Sequence, residues 1–341
     1  MEKTMQKESF YKAYIKPLLR HKVFSLFMLL VALVILFSLW SSAKGAQFFK
    51  ASTLRNIFNS LVLSSFLTMG AGCLLISGNI DLSQASIGAF GSMVLAAAIN
   101  GWGLPWFVGV ILSLLLCALF GALNATLVSK FRFPAFIATL AMASMARGLM
   151  YLFSSIGKGG QASNIAFQND AMNYLGTGMI GEVPIGIIVM LIFFLVYGIL
   201  LAKSKFGLKV ALMGGNPVSA NLAGINSKTI TYILFINSSV LGGIAGVFNA
   251  ARLQQGSLMA LQTNQFTGIT AAILGGISFG GGSGGMGGAF VGLLILNTFQ
   301  IGMGVVSVNP YWINVFTGIL LLVALSVDFL TQMRSNRARG V

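Results

Sequence analysis

Acidic side chains are almost missing from this sequence. Glu2, Glu8, Asp81, Asp170, Glu182 and Asp328 are the six in 341 residues, and His21 is the one histidine. Metal centres and general acid–base sites are built from clusters of His, Asp and Glu. The composition therefore leaves most of those chemistries without ligands or proton carriers. His21 lies in a basic N-terminal stretch and reads as an interfacial residue. Cysteine is equally scarce: Cys73 and Cys117 both fall inside apolar runs and read as small core residues, not as a disulfide or a thiolate site. There is no P-loop, because the one Gly-Lys pair, Gly157–Lys158, is followed by Gly159, so the chain has no such ATP site of its own. H-E-x-x-H is missing too. Charged residues make up 8% of the chain, against about 25% in a soluble domain.

What fills the chain instead is hydrocarbon: 56% of the residues are hydrophobic. No water-soluble core of this size needs so much apolar surface. The bulk of it faces lipid, where only helices or closed barrels satisfy the backbone. The apolar runs are long and lack strand-like alternation, which selects helices. The formal net charge of +15 suggests nucleic acid in a soluble protein. Here no stacking aromatics alternate with the basic residues, and Lys and Arg in short loops beside anionic lipid account for the charge. Nucleic acid is not an expected partner; membrane lipid is.

Ten spans are predicted: 23–40, 54–77, 83–99, 105–128, 135–156, 184–202, 229–250, 265–279, 286–306 and 311–330. The basic stretch before 23–40 resembles a signal peptide, but an 18-residue apolar run exceeds a usual signal core of about 7–15 residues, so it reads as a retained first span. Spans 83–99 and 265–279 are short enough to be broken or re-entrant. With both termini cytoplasmic, 15 of 21 Lys and Arg fall inside, as the positive-inside rule asks. The organisation expected is a basic cytoplasmic segment, 1–22, one transmembrane domain, 23–330, and a cytoplasmic tail, 331–341. Within the domain, 157–183 forms an external loop and 203–228 a cytoplasmic one. The location expected is a bacterial cytoplasmic membrane.

The external loop is rich in Gly and Asn, with turn chemistry. The cytoplasmic loop contains "NPVSANLAG": Asn216 as N-cap, Pro217 at the first helical position and Gly224 as the stop. Such a helix is either a rigid knob for a partner or an ordinary connector. Gly282, Gly284 and Gly287 spell G-x-G-x-x-G, but they lie between two apolar spans and the next acid is Asp328. A dinucleotide site needs a strand before the motif and an acid about 20 residues after it, so the run reads as a break between helices.

Asp81 and Arg147 are the two intramembrane ionisable residues, each a functional candidate by default. "DLSQ" places Gln84 three residues after Asp81, much like a capping box at the start of span 83–99. A structural cap is favoured over a proton relay, because no titratable neighbour lies nearby in sequence. Arg147 could pair with a backbone carbonyl or a helix break, or reach an interface. Neutral polar residues within spans, Asn59, Ser60, Ser64, Ser65, Asn124, Asn237, Ser238, Asn249 and Asn297, are candidates to line a solute path. The competing role of each is a helix–helix hydrogen bond. Neutral lining would suit an uncharged, hydroxyl-rich solute better than an ion.

Taken together, four stretches resemble the permease subunits of bacterial ABC importers for monosaccharides, the ribose-type family. They are "GNIDLSQASIGAFGSMVLAA", "PAFIATLAMASMARGLMYL", "KFGLKVALMGGNPVSANLAGIN" and "AAILGGISFGGGSGGMGGAFVGLLIL". The resemblance runs in order from about residue 54 to 330. It implies an all-α permease of type II importer architecture whose two copies form one pathway. A cytosolic ATPase, which binds the ATP and Mg, would drive it, and an external solute-binding protein would deliver the solute. It also implies that 216–224 is the coupling helix, with Asn216, Pro217, Ser219, Ala220 and Gly224 at the ATPase contact. Val218 stands where the family carries an acid, and Asn79 where a second Gly is usual. Permeases for nucleosides, branched-chain amino acids and a sugar-like autoinducer share this architecture.

Overall fold

A computed structural model describes residues 22–156 and 159–338. His21 and nearly all of the basic segment 1–22 lie outside the described residues, as do Gly157, Lys158 and Arg339. Most of the described residues are helical. Helices α1 (Lys22–Ala43), α2 (Ala51–Ile76), α3 (Gln84–Ala96), α4 (Trp106–Ser129) and α5 (Ala135–Ser155) lead to a short helix, α6 (Asp170–Thr177). Then follow α7 (Ile185–Lys203), α8 (Lys205–Gly215), α9 (Pro217–Leu222), α10 (Ser227–Leu253), α11 (Thr267–Leu274), α12 (Met286–Val305) and α13 (Pro310–Ala338).

Eight of these, α1, α2, α4, α5, α7, α10, α12 and α13, are long and apolar enough to cross a bilayer. The two spans expected to be short are α3 and α11, of 13 and 8 residues. At 1.5 Å per residue they rise about 20 and 12 Å, short of a hydrocarbon core about 30 Å thick. Helix α3 ends in a π-helical turn, Ala97–Gly101. Proline sets the helix starts: Pro105, Pro134 and Pro184 sit at the N-caps of α4, α5 and α7, and Pro217 and Pro310 open α9 and α13. Each position uses proline's fixed φ where no amide donor is needed.

The buried helices are α2, α3 and α10, with α11 and α12 beside them; α1, α4, α5, α7 and α13 turn much of their apolar surface outward. Without water, helices associate by close packing, which small residues permit. Helix α3 meets α10 backbone to backbone. A Cβ on Gly246 would stand 2.0 Å from the Gly88 carbonyl oxygen, and one on Gly88 would stand 2.2 Å from that of Gly242. The same spacing recurs where α12 meets α11. There a Cβ on Gly288 would stand 2.1 Å from Gly275 O, and one on Gly292 would stand 2.2 Å from Ala271 O.

The loop 157–183 is more structured than its turn-rich composition predicts. Asn169 caps α6 by accepting from Met172 N at 3.0 Å. Helix α6 packs on the end of α10, where a Cβ on Gly176 would stand 2.4 Å from Arg252 N. Strand β1 (Ile165–Ala166) pairs antiparallel with β4 (Gln255–Gly256), and β2 (Met179–Ile180) pairs with β3 (Val183–Pro184) in a hairpin. Helices α6 and α9 lie at opposite ends of α10: Gly176 packs against Arg252, and Ser227 Oγ donates to Asn221 Oδ1 at 2.7 Å.

Candidate functional site

A cavity of about 730 Å³ opens between α2, α11, α12 and α13, its wall mixing polar groups with apolar ones such as Leu63, Ile301, Ile313 and Leu321. Gln262, Thr263 and Asn264, on a 3₁₀ turn before α11, line one wall with Thr267 and Thr270 of α11. Ser60 of α2, Gln300 of α12, and Asn314 and Thr317 of α13 face them. Arg252, at the end of α10, supplies the one charged group in the lining. Phe266 adds an exposed aromatic ring. The wall offers amides and hydroxyls, which both donate and accept. It offers no carboxylate, thiol or imidazole, and hence no acid–base pair for covalent chemistry on a solute.

Of the pathway candidates Ser60 lines this cavity; Asn59, Ser64, Asn124, Asn237, Asn249 and Asn297 do not, and most of these tie helices together. Asn297 is buried, accepts from Ser60 Oγ at 2.7 Å and donates to Leu293 O at 3.0 Å. Ser64 is buried and accepts from Asn264 Nδ2 at 3.1 Å. Both therefore stand one hydrogen bond behind the cavity wall. Asn124 donates to Ser83 Oγ at 2.8 Å, and Asn237 accepts from the Tyr197 hydroxyl. Asn59 and Asn249 are half-buried, and the Asn249 Oδ1 atom is buried with no partner among the described residues. Polarity within a span was visible in the sequence; the rotation of each helix, which decides whether a polar group meets a cavity or a neighbour, was not.

Asp81 sits in the loop 77–83 that leads into α3, and is 3% exposed. Its Oδ1 accepts from Ser83 N at 2.8 Å and from Ser83 Oγ at 2.5 Å. Its Oδ2 accepts from Ser238 Oγ of α10 at 2.8 Å. Ser83 Oγ in turn accepts from Asn124 Nδ2 of α4. One carboxylate thus fixes the entry of α3 and joins it to α4 and α10. The reciprocal capping box does not form. Ser83, not Asp81, occupies the N-cap position, and Gln84 turns away to donate to Phe66 O of α2 at 3.3 Å. Gly70 makes room for that amide: a Cβ there would stand 2.2 Å from Gln84 Nε2. Arg147 of α5 donates to Ala260 O at 3.1 Å, bracing the segment that leads to the cavity wall.

Asn216 caps α9, its Oδ1 accepting from Val218 N at 3.1 Å and Ser219 N at 3.0 Å. Pro217 holds the first position, and Gly224, with φ +77°, lets the chain reverse after the helix. Ser219 is exposed, whereas Ala220, expected at a partner contact, is 3% exposed and anchors α9 to the protein. The outward side chains are Val218 and Leu222, 70% and 85% exposed. Their spacing of four residues puts both on one face. The sequence carried this signal, an i, i+4 apolar pair on a capped helix, but the expected contact set did not include it.

Comparison with known proteins gives the same direction. The chain is 31% identical over 301 residues to the ribose import permease protein of Escherichia coli (strain K12), covering 88% of this chain and 92% of that one. It is 27% identical over 302 residues to the fructose import permease protein of Rhizobium meliloti, covering 88% and 84%. It is 30% identical over 296 residues to the D-allose transport system permease protein of Escherichia coli (strain K12), covering 87% and 89%. No solved structure matches significantly. Residues 53–325, well over half of the chain, match the family described as the permease component of branched-chain amino acid transport systems. This all-α, multi-pass membrane protein belongs to that permease family.

Proposed function

We propose that the chain is the membrane-spanning subunit of an ATP-driven ABC importer and carries a small neutral solute, a monosaccharide. The observation that carries this reading is the mixed lining of the cavity: hydroxyls and amides from four helices set among apolar side chains, with Arg252 its one charge. A hydroxyl-rich ring can exchange its hydrogen bonds to water for bonds to such a wall. The ribose, fructose and allose names of the relatives support the same solute class.

The driving subunit is a cytosolic ATPase, which binds the ATP and Mg; this chain is a transport subunit without an ATPase site. Helix α9 docks on the ATPase through Val218 and Leu222, with Asn216, Pro217, Ser219 and Gly224 shaping the knob. A second permease copy completes the pathway, and an external binding protein delivers the solute. In this arrangement α9 and both termini face the cytoplasm of a bacterial inner membrane, and α6 faces outward. ATP-driven motion of packed helices then exposes the cavity to each side in turn.

A branched-chain amino acid is the second reading, favoured by the family description. Arg252 could meet its carboxylate, but no acid lines the cavity to meet its ammonium group. Nucleosides and a sugar-like autoinducer are further alternatives. Uptake by the reconstituted complex separates them. Excess unlabelled ribose, fructose or allose is expected to compete with a labelled sugar, and leucine is not. Competition by leucine alone would overturn the monosaccharide reading.

A further inference from the structure

The two short helices hang from loops that cross at one place. Residues 77–83 lead into α3, and residues 275–285 leave α11. Between these loops lies the end of α8, which stops next to Asn216, the N-cap of α9. The facing residues at the crossing are glycines. Gly282 N donates to the carbonyl of Ile76, the last residue of α2, at 2.8 Å. A Cβ on Gly214 would stand 1.9 Å from that oxygen and 2.7 Å from Gly282 N. One on Gly281 would stand 2.8 Å from Gly214 O and 2.9 Å from Gly78 Cα. One on Gly282 would stand 2.7 Å from Gly215 Cα. Gly281 and Gly282 also hold φ of +85° and +76°. Gly215 differs: a Cβ there would come no nearer than 3.8 Å to anything outside its own helix. The 275–285 loop is pinned on another side, where Phe279 N donates to Asp328 of α13 at 3.0 Å.

We infer that Gly214, Gly281 and Gly282 are positioning residues for transport. They form a backbone-to-backbone joint that passes a displacement of α9 to α3 and α11 together. This rests on the proposed docking of α9. Side chains at a contact can change rotamer and absorb a small shift, whereas close-packed backbone passes it on. Downstream of the joint, α11 carries Thr267 and Thr270 into the cavity, and the loop before α3 carries Asp81. A shift of α9 therefore reaches a cavity wall through the short segment 275–280 and α11.

The test compares Gly214→Ala with Gly215→Ala in the full complex of permease, ATPase and binding protein, reading solute imported per ATP hydrolysed. Gly214→Ala is expected to hydrolyse ATP while imported solute per ATP falls about ten-fold, the scale of coupling energies of 0.5–2 kcal/mol. Gly215→Ala is expected to stay within about two-fold of the unmodified complex. Asp328→Ala loosens the pinned loop and is expected to lower the ratio about three-fold, with Asp328→Asn, which keeps an acceptor oxygen, restoring it. If Gly214→Ala fails to assemble, the Asp328 pair decides. Equal coupling in Gly214→Ala and Gly215→Ala, or an unchanged ratio in Asp328→Ala, would overturn the joint. Loss of the docking reading itself shows separately, as normal ATPase binding in a Leu222→Asp variant.

Discussion

Ser238 Oγ of α10 donates to Asp81 Oδ2 at 2.8 Å, joining the middle of one buried helix to the entry of another across 157 residues of sequence. A lone carboxylate among spans would suggest a proton relay, but this one is surrounded by neutral donors that fix it in place. Asp81→Asn keeps one acceptor oxygen for Ser83, and its amide can donate to Ser238, whose hydroxyl can turn to accept. Near-normal thermal stability and transport are expected. Asp81→Ala strands donors of Ser83 and Ser238, each costing about 1–3 kcal/mol when buried, and is expected to lower the melting temperature in detergent. Loss of transport in a fully assembled Asp81→Asn complex would show that the charge itself acts.

The exposed pair on α9 gives a sharper test of docking than the helix as a whole. Ala220 is buried, so a large residue there would disrupt α9 whether or not it binds a partner. Leu222→Asp changes an 85% exposed side chain and leaves Asn216 to cap the helix. Membrane insertion is expected to be normal, while co-purification of the ATPase falls about ten-fold or more, as for an apolar anchor at an interface.

Cavity lining and helix fastening predict different phenotypes for similar residues. Asn314→Ala removes a lining amide, and uptake is expected to fall about ten-fold, the worth of one good hydrogen bond, with the melting temperature unchanged. Asn297→Ala removes the partner of Ser60, and the melting temperature is expected to fall. A thermal shift assay beside an uptake assay reads both.

The contact of α3 with α10 leaves no room for a side chain. Gly246→Leu is expected to prevent folding, because a whole leucine side chain would have to enter a contact where its Cβ already stands 2.0 Å from the Gly88 carbonyl. Gly148→Ala meets nothing within 4 Å and is expected to express normally. Size-exclusion chromatography of the two variants in detergent distinguishes the outcomes.

Eight of the ten predicted spans were legible because hydropathy over about 20 residues is a strong signal, and the brevity of the other two, α3 and α11, was legible for the same reason. The cap on α9 was legible because Asn-Pro and a later Gly have fixed geometric meanings. Helix α6 was not: eight residues nucleate poorly alone, and its stability comes from packing on α10 through Gly176. The cavity was not legible either. Ser60 lines it while Asn59, one residue before, does not, and that difference is a rotation of 100° set by tertiary packing. Arg147 likewise had no readable partner, because Ala260 lies 113 residues away and offers only a backbone oxygen.

We propose this chain as a passive gate worked by an ATPase. The direct measurement is uptake of labelled ribose into vesicles carrying the permease with and without the ATPase, with ATP and an ion gradient varied independently. Uptake is predicted to require both ATPase and ATP and to survive collapse of the gradient. Uptake driven by the gradient alone, with no ATPase present, would contradict the account.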